Sequence, residues 1–198
     1  MIQQQADIIR ALAQPLATSS DFDLNPGFAG SVVPVWDAGV LVPLIERQSG
    51  VHLVLTMRAA HLATHPGQIA FPGGKRDVGD VDIAATALRE AHEETGLSPD
   101  LVHVLGHLPT HDTVTGFKVT PTIGWISEPW EVRADPSEVA EVFEVPLRHV
   151  LQLENFHVQK RVWNGKNRAY YTVPYGPYYI WGATARILHG FAEQMGAL

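Results

Sequence analysis

The sequence predicts a mixed β-sheet covered by helices, α+β in class, from three observations. β-rich runs outnumber helical ones, the helical runs fall among them without regular alternation, and no internal repeat or low-complexity linker divides the chain. Regular strand–helix alternation would instead point to a doubly wound parallel sheet. At 198 residues, 45% of them hydrophobic, the chain is long enough for one domain with a sizeable core and short for two.

The elements follow in chain order. Residues 6–14 have helical spacing, with Ile8, Ile9 and Leu12 on one side, and residues 18–30 are rich in Ser, Asp, Pro and Gly and read as a loop. Residues 1–29 are thus expected to form a helix-and-loop extension before a main domain over 30–198. Strands are predicted at 32–35, 39–45 and 51–57, the last two joined by a Gln48-Ser49-Gly50 turn. A loop punctuated by Gly, Pro and Asp fills 59–82. The helix after it covers 83–95 and stops at Gly96, a suitable C-terminal glycine. Further strands are predicted at 102–108, 119–126, 157–162 and 169–173, with helices at 146–151 and 183–195.

Composition narrows the function. A formal net charge of −7 makes the chain a poor partner for long nucleic acid, which is held chiefly through neutralised phosphates. No apolar run approaches the length of a membrane span. The N-terminus lacks the basic flank, apolar stretch and small-residue cleavage site of a secretory signal, so a cytoplasmic location is expected. Zero cysteines exclude disulfides, thiolate ligands and a cysteine nucleophile. An acidic protein still binds a small phosphate ester if divalent cations bridge the two, which requires clustered carboxylates.

The helix at 83–95 supplies them. Ala84, Leu88 and Ala91 form an inward stripe, while Glu90, Glu93 and Glu94, spaced i, i+3, i+4, share another face. These charges repel by about a few tenths of a kcal/mol per pair. They also lie in the last turns, where the helix dipole disfavours anions. Helix stability alone would place Lys or Arg there. A solvated acidic face is the bland reading of such a run; oxygen donors for Mg²⁺ or Mn²⁺ are the sharper one.

The surrounding pattern favours the second. Residues 74–97 resemble the Nudix box, a glycine and a spaced acidic residue followed by Arg-Glu-X-X-Glu-Glu-X-Gly-X, matched in its second half by residues 89–97. The first half departs from the usual form: Asp80 stands where glutamate is usual, and eight residues instead of seven separate it from Arg89. The resemblance implies a Nudix-like α/β/α sandwich. It also implies that Glu90 and Glu94 coordinate the cation, that Glu93 helps directly or through water, and that Arg89 orients the glutamates. Gly73 and Gly74 would let the backbone approach both helix and phosphates.

The segment upstream is similar to the one that marks coenzyme A pyrophosphatases. Its landmarks are Arg58, His65, Gly67 and Gln68, joined to the box by Phe71-Pro72-Gly73-Gly74-Lys75, and the extra residue after Gly74 is itself similar to that subfamily. Likeness to it also runs through 113–121, 138–147 and 180–188, so the resemblance covers roughly residues 30–190. Chemically, Arg58 can fork onto a phosphate, His65 and Gln68 can hydrogen-bond phosphate or ribose oxygens, and Lys75 and Arg76 add positive charge. Taken singly, Arg58 and His65 read equally well as ordinary surface and loop residues. The aromatic stretch 163–177 reads as a substrate wall or as local core.

The implied reaction is attack of water on one phosphorus of a diphosphate, with Glu93, Glu138 and Glu141 competing as general base. Glu138 and Glu141 also suit the start of a helix. Coenzyme A would yield 3′,5′-ADP and 4′-phosphopantetheine. A Nudix enzyme acting on ADP-ribose, NADH or dinucleoside polyphosphates shares the chemistry and differs in its pocket walls. A non-catalytic nucleotide-binding module is the reading of another class, and would be expected to have lost box glutamates. Monomer and homodimer fit the sequence equally.

Overall fold

The architecture comes from a computed structural model that describes residues 2–28, 35–163 and 165–196. In chain order the elements are α1 (Ile2–Leu12), β1 (Ser19–Ser20), β2 (Trp36–Arg47), β3 (Gly50–Arg58), β4 (Ile69–Ala70), β5 (Gly73–Lys75), α2 (Ile83–Thr95), β6 (Val102–His107), β7 (His111–Asp112), β8 (Phe117–Ile126), β9 (Val139–Pro146), α3 (Leu147–Val150), β10 (His157–Trp163), β11 (Lys166–Thr172) and α4 (Ala183–Gly196). Strands β1 to β9 form one mixed sheet in which β2–β8 and β1–β7 run parallel and the other pairs antiparallel. β10 and β11 form a separate antiparallel hairpin.

Strand alternation divides the core into two layers. Leu41 and Ile45 of β2 and Val54 of β3 face Ala87 and Ala91 of α2. Val42, Leu44, Leu53 and Leu55 face the other way, against Ile8 of α1, Val150 of α3 and Leu188 and Phe191 of α4. Each large side chain so buried contributes about 1.5–3 kcal/mol of transfer free energy. The result is helix, sheet and helix in three layers, the mixed α+β class expected.

Several details differ from the sequence reading. The N-terminal helix begins earlier than residue 6, and it packs into the main core: Ile8 is buried, and Gln194 Nε2 of α4 donates to Ala11 O at 2.8 Å. The strand expected at 32–35 and the boundary at residue 30 fall largely outside the described residues. Glu138 and Glu141 do not open a helix. The stretch Val139–Pro146 is strand β9, with Val139, Phe143 and Val145 buried at alternate positions and β3 as its antiparallel partner. The inward stripe of α2 is rotated from the one expected, with Ala87, Ala91 and Glu94 buried and Ala84 and Leu88 only half-buried.

An N-terminal strap ties the hairpin to the sheet. Asn25 hydrogen-bonds both backbone groups of Ala169 at 2.8 Å, and Asp21 pairs with Arg168 at 3.4 Å and with His111 at 3.3 Å. Ser19 Oγ completes the buried chain at 2.9 Å from His111 Nδ1.

Candidate active site

Helix α2 is fixed at both ends and pressed close to the sheet. Asp82 caps its start, accepting from Ala85 N at 2.8 Å. Gly96 ends it in the left-handed region (φ 73°), with its N–H on His92 O. Two glycines on neighbouring strands permit the close approach. A Cβ on Gly39 would lie 2.6 Å from Ile83 O, and one on Gly74 would lie 2.5 Å from the Glu90 carboxyl. The backbone of Gly74 therefore abuts a box glutamate, which accounts for the glycine there.

Arg89 gathers the polar side of the helix. Its Nε and Nη2 fork onto the two oxygens of Asp80 at 3.0 and 3.1 Å, and its Nη1 donates to Glu90 Oε1 at 2.9 Å and to Glu93 Oε2 at 3.0 Å. Asp80 also accepts from Thr86 Oγ1 and from Asp77 N, both at 2.9 Å. That carboxylate is fully engaged, and the Arg89 guanidinium followed by the Asp77 N–H holds it well below the usual range. The eight-residue spacing thus still delivers Asp80 to Arg89, as an anchor for the arginine.

Glu94 is in the opposite condition. Its side chain is buried, at 5% exposure, and its Oε2 has no hydrogen-bond partner. Burial, then the charges of Glu90 and Glu138, push its carboxyl up to about 8, while Arg58 and the Gly73 N–H pull it back. Burial likewise raises Glu90, against the pull of Arg89, with Glu93 and Glu138 adding to the rise. Glu90, Glu94 and Glu138 therefore form one electrostatic cluster. Glu93 is exposed and held by Arg89.

Among the described residues no three acidic or histidine side chains converge tightly enough to grip a metal ion as they stand. The donor chemistry nevertheless fits a divalent cation. An orphaned, buried carboxylate oxygen and mutually repelling all-oxygen donors are what Mg²⁺ or Mn²⁺ would satisfy.

The upstream segment is the loop of the β3–β4 hairpin, closed by Arg58 N on Gln68 O at 3.0 Å and Gly67 N on Arg58 O at 3.1 Å. Arg58 ends β3, and its charge reaches Glu94. His65 is exposed and left-handed (φ 54°), uncommon for a residue with a side chain. Gln68 lies beside Gly182, just before α4. Lys75 and Arg76 are occupied elsewhere: Lys75 Nζ sits 3.3 Å from the Trp36 ring centroid, and Arg76 donates to the backbone oxygens of Asp80 and Val81. Glu141 stands apart from the cluster, accepting from Tyr178 O–H at 2.6 Å. Tyr178 was not expected from the sequence; its signal is the aromatic run 170–181, which has no fixed spacing to the box.

Comparison with known proteins agrees with this geometry. Residues 36–170 match the NUDIX domain family. The chain is 43% identical over 176 residues to an uncharacterized Nudix hydrolase NudL of Enterobacter sp. (strain 638), spanning 87% of this chain and 90% of that one. It is 44% identical over 176 residues to a protein of the same name from Salmonella paratyphi B, with the same coverage. Among solved structures, the MutT protein of Methanosarcina mazei Go1 aligns with a TM-score of 0.51 and 20% identity, covering 83% of this chain and 95% of that one. The M. smegmatis Nudix hydrolase RenU aligns with a TM-score of 0.50 and 24% identity, covering 60% and 80%. At that identity the two structures speak for the fold alone. The family match over most of the chain, the relatives above 40% identity and the carboxylate helix seated on glycines together mean that this chain belongs to the Nudix hydrolase family.

Proposed function

We propose that this Nudix hydrolase cleaves the diphosphate bond of coenzyme A and its derivatives, releasing 3′,5′-ADP and 4′-phosphopantetheine. The observation that carries the reading is the placement of Arg58. The strongest cation of the coenzyme A-type segment sits where its charge acts on Glu94, beside the carboxylate cluster. A diphosphate bridged to those carboxylates would meet a guanidinium there. His65 and Gln68 lie on the same hairpin as Arg58, the Gly73-Gly74 backbone follows on β5 beside β2, and the left-handed turn at His65 is the kind of strain found at binding sites.

Glu90 and Glu94 would hold Mg²⁺ or Mn²⁺, with Glu93 beside them. When bound, such an ion neutralises the diphosphate oxygens and acidifies the attacking water. Arg89 keeps Glu90 and Glu93 in place and is itself fixed by Asp80. The oxygen of water bonds to one phosphorus as the bond to the bridging oxygen breaks, and a carboxylate takes the water's proton. Of the three candidates, Glu93 is held by Arg89 and Glu141 by Tyr178, whereas Glu138 lies close enough to bear on both Glu90 and Glu94. Glu138 is therefore the base that the reading favours.

The test is product analysis after incubation with coenzyme A, ADP-ribose, NADH and dinucleoside polyphosphates, with Mg²⁺ or Mn²⁺. Coenzyme A should give the highest kcat/KM and the two half-products. Faster turnover of another compound would move the assignment to it, and no turnover of any would favour a non-catalytic binding module.

A further inference from the structure

Glu138, the base favoured above, is exposed, and no side chain among the described residues pairs with its carboxylate. Its charge nevertheless bears on both Glu90 and Glu94. The main chain has to keep it there, and the segment 130–139 is built to do so.

That segment is stitched to the helix that carries the box glutamates. The last carbonyls of an α-helix have no partner within it. Those of Glu94 and Thr95 are taken from outside: Asp135 N donates to Glu94 O at 3.1 Å, and Arg133 N and Trp130 Nε1 donate to Thr95 O at 2.9 and 3.4 Å. The approach is close enough that a Cβ on Gly96 would stand 2.9 Å from the Cβ of Arg133. The glycine that ends α2 therefore serves twice, turning the chain left-handed and admitting this neighbour.

Asp135 then turns the chain to Glu138. Its carbonyl accepts from Glu138 N at 3.0 Å and from Val139 N at 2.8 Å. Its Oδ1 accepts from Ser137 N at 2.8 Å and from Ser137 Oγ at 2.7 Å. These two bonds hold the carboxyl below its ordinary range, so it stays ionised and remains an acceptor. The far side of the turn is fastened to the loop that follows β3: Ala59 N donates to Glu138 O at 2.8 Å, and His61 Nε2 to Ser137 O at 3.0 Å. Immediately beyond, β9 carries a bulge. Arg58 pairs with Val139 but Met57 with Glu141, which leaves Ala140 as the extra residue. Bulges re-aim the side chains beside them.

We infer that Asp135 is the positioning residue for the general base: its peptide links the main chains of Glu94 and Glu138, and its side chain fixes the turn between them. The inference rests on the assignment of Glu138 as base. A metal ligand and the group that takes the water's proton must keep one spacing, because a misplacement of about 1 Å costs about a hundredfold in rate. Asp135 donates its N–H to one and its carbonyl accepts from the other, so a single residue sets that spacing. Without the bonds to Ser137, the turn loses its lock and the exposed Glu138 loses its fixed place.

The experiment compares the wild type with Asp135→Ala, Asp135→Asn, Ser137→Ala, Glu138→Gln and the double variant Asp135→Ala/Glu138→Gln. The substrate is coenzyme A, or whichever of the compounds named above the wild type cleaves fastest, and Mg²⁺ is titrated both by activity and by its effect on Tm. Asp135→Ala should lower kcat about ten- to a hundredfold, with KM and the Mg²⁺ midpoint within about twofold of wild type. Asp135→Asn should recover most of the loss, because the amide oxygen still accepts from Ser137. Ser137→Ala removes only the hydroxyl bond and should cost about threefold. Added to Glu138→Gln, Asp135→Ala should cost less than about twofold more, because both changes act through one carboxylate. A merely structural role would lower Tm and repeat its full loss in that background. Near-normal kcat in Asp135→Ala beside a crippled Glu138→Gln overturns the inference and leaves the base in place. A full further loss in the double variant, or a parallel loss of Mg²⁺ affinity, overturns it as well. Near-normal kcat in Glu138→Gln overturns the base assignment and the inference with it. If Asp135→Ala does not fold, Ser137→Ala carries the same comparison in both backgrounds.

Discussion

The two ends of helix α2 each carry a shielded carboxylate, and the two are in opposite states. Asp80, at the start, accepts from Arg89, Thr86 and a backbone N–H and is held as an anion. Glu94, near the end, is the more deeply buried; one of its oxygens has no partner, and the acids Glu90 and Glu138 act on it alongside Arg58. Burial raises Glu94, and what separates the two in kind is satisfaction of their oxygens. A carboxylate whose lone pairs are filled by protein donors positions something else, whereas one left orphaned is poised for a partner that the chain does not supply.

The largest expected effects fall on the unsatisfied end. Glu94→Gln keeps the shape and removes the charge, and should lower kcat by about two to three orders of magnitude. A near-normal rate at saturating Mg²⁺ would mean that the orphaned oxygen is not a ligand. Glu138→Gln should lower kcat by about two orders of magnitude while leaving Mg²⁺ affinity closer to normal, as expected of a general base. A loss confined to metal affinity would make Glu138 a ligand instead.

The satisfied end should respond less. Asp80→Ala frees the Arg89 fork, which then no longer fixes Glu90 and Glu93. The expected loss is about ten- to a hundredfold in kcat/KM, typical for a group that orients ligands. Asp80→Asn should recover part of it, because the amide oxygen still accepts from the guanidinium. Equal losses in the two variants would show that the charge matters rather than the position.

The same contrast has a pH signature in stability. In the unfolded chain Glu94 titrates near 4.5, in the fold near 8. Between these values the folded protein holds a proton that the unfolded chain has released, so this group makes metal-free stability fall as pH rises from about 4.5 towards 8. Below that window both states are protonated and the dependence vanishes. Thermal melts in chelator should show the decline, Glu94→Gln should flatten it, and Mg²⁺ should raise Tm most at the high end, where the carboxylate is charged. A melting temperature indifferent to pH and Mg²⁺ would place Glu94 in ordinary contact with water.

What the sequence made legible was local. The i, i+3, i+4 glutamates, the closing Gly96 and the glycines at 73 and 74 are short-range patterns; Gly96 ends the helix in the left-handed region, and a Cβ on Gly73 or Gly74 would collide with Val40 or with Glu90. The rest depends on contacts between distant segments. Glu138 and Glu141, three residues apart, resemble a helix start, but pairing with β3 makes Val139–Pro146 a strand, and Val139, Phe143 and Val145 bury themselves on one face. The extra residue before Arg89 obscured Asp80, because only the fold of the 76–81 loop shows that the carboxylate still arrives. No spacing within the chain discloses that Asn25 latches Ala169, or that Tyr178 meets Glu141.

Glu141 supplies the smallest and most discriminating effect. It resembles Asp80 more than Glu94, since Tyr178 donates to it and Tyr178 is stacked on Phe143 at 3.6 Å. That bond raises the tyrosine above its ordinary range, so the hydroxyl stays protonated and remains a donor throughout the working pH range. In Glu141→Gln the amide oxygen still accepts from Tyr178, and a charge-assisted bond becomes a neutral one at a cost of about 0.5–1.5 kcal/mol. The variant should lose a few degrees of Tm, with kcat within about threefold of wild type. Tyr178→Phe should reproduce the stability loss, and the double variant should add little to either, because the two changes remove the same bond. A hundredfold fall in kcat for Glu141→Gln alone would move the base from Glu138 to Glu141 and make Tyr178 the group that holds it in place.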